Sequence, residues 1–169
     1  MTLDAVLHTV EAMLRATPVS HWMRDSWWAW QTLESLHFIG MSVLIGTIGL
    51  FDLRLMGFAR GVPYAALHRL IPVGIAGYTL NLLTGLCFLS GTPDQYLFNL
   101  AFRVKVTCMF IAGLNVLFFY TRVFRRLEAL APDGRPPLAA RVVGAVSLTM
   151  WIGVMSAGRL LTFFRPPYV

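Results

Sequence analysis

Residues 27 to 57, WWAWQTLESLHFIGMSVLIGTIGLFDLRLMG, form an apolar run too long for the core helix of a soluble domain. A helix rises 1.5 Å per residue, so about 20 residues cross the hydrocarbon core of a bilayer, and this run exceeds that. The stretch predicts a membrane-spanning helix over about 27–52. Trp22, Trp27, Trp28 and Trp30 form an aromatic belt at its water boundary. Glu34 and His37 sit inside the run, and ionisable groups in hydrocarbon are costly without a partner or a task.

Three more apolar runs follow the same rule and predict spans over about 65–89, 100–123 and 138–164. The chain is 57% hydrophobic and only 13% charged, which excludes the soluble classes and fits an integral membrane protein. Before the first span, Leu3, Val6, Leu7, Val10, Met13 and Leu14 recur at helical spacing. They predict an amphipathic helix over 2–15 lying in the interface, stopped at Thr17-Pro18, with His8 and His21 as interfacial polar residues. The expected fold is all-α, a single domain made of a four-helix membrane bundle with an N-terminal interfacial helix.

Gly40, Gly46 and Gly49 on the first span, and Gly74, Gly77 and Gly85 on the second, are expected to allow close helix approach. Pro72 is expected to kink the second span. Gly91-Thr92-Pro93-Asp94 and Pro132-Asp133-Gly134 read as turns, and Arg165-Pro166-Pro167 ends the last span. Cys87 and Cys108 fall in different runs without ligand spacing and read as small packing residues. No cleavable leader is expected, because the first charge is Asp4 and the first apolar run is short and amphipathic.

The formal net charge is +6, and Lys105 is the only lysine. The arginines stand at the ends of apolar runs, as headgroup anchors do, and this pattern leaves no basic face for nucleic acid. Arg54, Arg60, Arg69, Arg122, Arg125, Arg126, Arg135 and Arg141 fall on one side of the membrane. Arg15, Arg24, Arg103, Lys105, Arg159 and Arg165 fall on the other. The excess predicts both termini outside the cytoplasm.

Helical geometry puts Glu34, Met41 and Asp52 within about 60° of His37, so the first span carries a polar stripe. The same rise places His37 and Asn81 roughly 14 Å below the outer boundary, Met109 and Met155 near 12 Å, and Lys105, Arg159 and Glu34 at about 6 to 9 Å. Two readings of this outer cluster compete. In the structural one, Glu34 neutralises Arg159 or Lys105 while His37 bonds Asn81 or a hydroxyl. In the functional one, His37 ligates a heme b iron, with Met155 or Met109 as sixth ligand. His68 is about 15 Å too far along the bundle axis to share one heme with His37, and it reads as interfacial beside Arg69 or as a ligand for a separate group. No phosphate loop, GxSxG or HExxH is present.

His37-Phe-Ile-Gly40, Asp52-Leu-Arg54-Leu-Met-Gly57, Pro72, Gly77, Gly85, Phe102-Arg-Val-Lys105, Asn115 and Gly158-Arg159 resemble an uncharacterised family of small bacterial four-helix inner-membrane proteins. The resemblance covers Trp27 to Phe164 and implies a multi-pass inner-membrane location. The first helix is also similar to the membrane domains of copper-resistance D proteins and of the heme-binding protein that oxidises protoporphyrinogen. That similarity implies a ligand role for His37 and none for His68.

Three functions are therefore compatible with the sequence. One is a b-type heme or quinone-linked redox component, with Arg159 and Lys105 as partners for propionates or a quinone oxygen. The second is transport of a small ion or metal along Glu34, His37, Met41 and Asp52. The third is an accessory subunit of a membrane complex or oligomer whose polar groups only fix packing.

Overall fold

The computed structural model describes residues 3–128 and 134–164, which leaves the expected Pro132-Asp133 turn and the Arg165-Pro166-Pro167 end outside the described residues. The described chain is all helical. Four of its stretches are long and apolar enough to cross a membrane: Ala29–Met56, Tyr64–Gly91, Leu100–Leu127 and Leu138–Leu160.

The N-terminal segment holds two helices rather than one, α1 (Leu3–Arg15) and α2 (Pro18–Asp25). Pro18, expected only to stop α1, also starts α2. Its fixed φ suits the first helical turn, and Thr17 caps that turn by accepting a bond from the Ser20 N–H. Helix α1 does not simply lie in an interface. Arg15 reaches from it to Asp94 at 2.7 Å, and His8 stacks on Phe98 at 4.9 Å, so α1 is pinned to the loop after the second span.

Helix α3 (Ala29–Met56) is four residues longer than expected at its C-terminal end. It closes where Gly57 turns left-handed at φ 101°, with Phe58 N–H bonded to the Leu53 carbonyl. The second span is broken. Helix α4 (Tyr64–His68) stops, and α5 (Ile71–Gly91) begins afresh with Pro72 in its first turn, where a missing N–H costs no helical bond. The expected kink at Pro72 is thus a break just before it.

A short helix α6 (Pro93–Leu97) occupies the expected turn. Helix α7 (Leu100–Phe118), capped by Asn99, passes into a π-helical turn at Phe119–Val123 and then α8 (Phe124–Glu128). Helix α9 (Leu138–Leu160) completes the bundle.

Around the bundle the order is α5, α3, α9, α7. Helices α3 and α5 pack along their length, as do α7 and α9, and α3 joins α9, whereas α5 and α7 barely meet. Glycines set the closest approaches, as small residues do between apolar helices. A Cβ on Gly77 would lie 2.8 Å from the Gly40 carbonyl, and one on Gly144 would lie 2.6 Å from the Asp52 carbonyl. Gly153 meets Cys108, so that cysteine is an interface residue as expected. Gly46 faces open space, against expectation. Apolar side chains such as Phe38, Leu50, Ile75, Leu83 and Phe110 point outward around the bundle.

The two ends are packed separately. Phe51, Leu55, Tyr64, Phe119, Val123 and Val143 form one core, and Met23, Ala29 and Phe88 form the other.

Candidate functional site

Helix α3 and helix α5, held close by Gly40 and Gly77, bring His37 against Thr84. The His37 Nδ1 lies 2.7 Å from the Thr84 hydroxyl. Thr84 in turn lies 2.8 Å from the Leu80 carbonyl one turn back, which is where its own proton goes. With its proton on that carbonyl, the Thr84 oxygen is free to accept from His37, and in the tautomer with Nδ1 protonated Nε2 presents a bare lone pair. Gly85 lies next to the imidazole, and the Phe88 ring meets it edge-on with centroids 5.6 Å apart. Trp30 covers Phe88 from the other side at 4.9 Å.

Lys105 enters from α7. Its ammonium reaches Gly158 of α9, within 3.9 Å of where a Cβ there would sit, and its charge acts on the His37 ring. The cluster is thus a neutral acceptor nitrogen and a cationic donor among apolar helices. The hydroxyl predicted as partner of His37 is present, but it belongs to Thr84. Asn81 instead turns its amide to the Gly77 carbonyl on its own helix, at 3.2 Å.

Other expected members are elsewhere. Glu34 and Arg159 are exposed, and among the described residues no ion pair joins Glu34 to Arg159 or Lys105. The long arginine at the end of α9 turns outward, so the neutralised pair of the structural reading does not form. The polar stripe of α3 is split, because Glu34 is exposed, His37 and Met41 are half-buried, and Asp52 is buried. Met109 lines a cavity that extends toward Asp52, and Met155 is half-buried on α9.

His68 does lie far from His37. It ends α4, whereas Thr84 is 13 residues along α5 from Ile71, or roughly 20 Å. It is not a simple interfacial residue, since its ring packs on Phe124 at 4.8 Å and its Nε2 lies 3.3 Å from the Tyr120 hydroxyl. Among the described residues no three His, Cys, Asp or Glu side chains gather to hold a metal ion.

Fold and site together define a class, a four-helix bundle with membrane-length apolar spans and one oriented histidine in its interior. No family model, no curated protein and no solved structure matches the chain.

Proposed function

We propose that this chain is an integral protein of the bacterial inner membrane, with both termini periplasmic, that works as a b-type heme or quinone-linked redox component with its redox group at His37. The observation that carries the reading is the His37–Thr84 bond. A histidine that donates one ring N–H to a fixed acceptor offers the other nitrogen in a set direction, the arrangement usual for ligating imidazoles. Four outward apolar helices support membrane insertion.

The residues fit a one-histidine site. His37 Nε2 would hold the iron or accept from a quinol hydroxyl, and Lys105 would neutralise a propionate or donate to a quinone oxygen. They do not fit a heme held by His37 and His68, which lie at opposite ends of the bundle. The bound group, not the chain, supplies the electron chemistry. Phe88, Trp30 and the α3–α5 glycine contact exclude water and fix the imidazole.

Purified from heme- and quinone-replete membranes in mild detergent, the protein should carry either a Soret absorbance or solvent-extractable quinone. His37→Ala should lose it, and Thr84→Val, which frees the ring, should retain less. Well-folded wild-type protein carrying neither group would sink the proposal. The accessory-subunit reading would then gain from a His37→Ala protein that assembles poorly. For orientation, a C-terminal alkaline phosphatase fusion should be active and a C-terminal green fluorescent protein fusion dark, the opposite pattern contradicting periplasmic termini.

A further inference from the structure

The bundle leaves room at the end remote from His37. A cavity of about 310 Å³ opens where α5 and α7 barely meet and runs in toward α3 and α9. Five aromatic rings contribute to its walls: Phe51, Tyr78, Phe119, Tyr120 and Trp151. Among the described residues Asp52 is its single acid, and no lysine, arginine or histidine lines it.

The Asp52 side chain is deeply buried, at 3% exposure. Ser147 of α9 lines the same cavity, and the Oδ2 atom has no partner. Two nearby polar groups have other commitments. Asn115 donates to the Val143 carbonyl at 3.0 Å, and Arg54 is directed at the 60–64 loop through the Val62 carbonyl and the Tyr64 hydroxyl. A buried carboxyl oxygen without a donor is an expensive thing to keep.

A purely apolar ligand or a lipid acyl chain would fill the apolar walls and leave that oxygen as it is, and a neutral hydroxyl would donate to it without meeting the carboxylate's charge. A protonated amine on an apolar body satisfies every feature at once. It donates to the carboxylate, its positive charge faces aromatic rings, and its body replaces lipid against the walls. We infer that this cavity binds a lipophilic ammonium compound, which enters from the bilayer between α5 and α7 and pairs with Asp52. The site lies 15 residues along α3 from His37, or roughly 22 Å, and stands whether or not His37 holds a redox group.

The test is calorimetric titration of the protein in lipid nanodiscs, with empty nanodiscs as reference, using 2-phenylethylammonium and its neutral counterpart 2-phenylethanol. The wild type should bind the amine saturably and roughly tenfold or more tighter than the alcohol, the scale of one charge-assisted hydrogen bond. Asp52→Asn should erase that difference while leaving alcohol binding alone, and His37→Ala should change neither. Gly113 lines the cavity, is exposed, and has nothing within 4 Å of an added Cβ, so Gly113→Phe should be tolerated and should weaken both ligands. Equal binding of amine and alcohol by the wild type, or no saturable amine binding, overturns the inference. So does discrimination that survives Asp52→Asn, or amine binding unchanged in Gly113→Phe, which stays informative if Asp52→Asn does not fold.

Discussion

Arg54 carries a full charge with none of its side chain exposed. Its Nε donates to the Val62 carbonyl at 2.8 Å, one terminal nitrogen donates to the Tyr64 hydroxyl at 2.9 Å, and the guanidinium lies 3.9 Å above the Tyr64 ring. It therefore fastens the 57–63 loop back onto the end of α3. Arg54→Ala should lower stability by about 3 kcal/mol or more, since it strands a buried carbonyl and hydroxyl as well as losing packing. Tyr64→Phe removes one partner and should cost only about 1 kcal/mol. Unfolding of each variant in detergent, followed by circular dichroism, checks the order; an Arg54→Ala protein as stable as wild type would contradict it. In the sequence Arg54 reads as one more headgroup anchor, because only the returning loop reveals that it is covered. His37 was more legible. A buried imidazole on a helix needs an acceptor, and a hydroxyl was an expected one, but several hydroxyls were available and the α3–α5 register alone selects Thr84. Glu34 and Arg159 failed for a related reason: matching depth does not tell which side of a helix faces inward.

At the scale of elements, the close approach of α3 and α5 depends on Gly40 and Gly77 rather than on every glycine in the run. Gly77→Ala sets a methyl against the Gly40 carbonyl and should cost about 1–3 kcal/mol by forcing the helices apart. Gly46→Ala meets nothing and should stabilise α3 slightly, by up to about 1 kcal/mol. Denaturant titration of the two variants separates them, and equal effects would show that the contact does not limit packing. Apolar length made all four spans readable. It could not show that the second restarts at Ile71, that the third passes through a π turn, or that α2 exists. Pro18 and Thr17 held the signal for α2, because a capping threonine before proline begins a helix as readily as a proline ends one.

For the molecule as a whole, the order α5, α3, α9, α7 amounts to two hairpins, α3 with α5 and α7 with α9. Gly40 with Gly77 closes the first. In the second, Gly153 lies against Cys108, and α7 is tied further by Asn99 bonding the Leu161 carbonyl and Asn115 the Val143 carbonyl. Along their length the hairpins are joined by the α3–α9 line, where the Asp52 backbone meets Gly144, and at one end also by His68 against Tyr120 and Phe124. The molecule is therefore laid out like a book, with α3 and α9 as its spine and the edges of its covers, α5 and α7, held together only near their ends, by α6 and by the His68 contacts. A small swing about that spine alters the width of the opening without disturbing the glycine contact or the asparagine bonds inside either cover. Spin labels at the exposed positions Ile75 and Leu114 should report a broad range of separations, while labels within one hairpin, at Ile39 and Leu83, should report a narrow one. Equally narrow distributions would mean that the covers are fixed. If they swing, the span of sizes the opening admits is set by the spine and not by the shape of the walls.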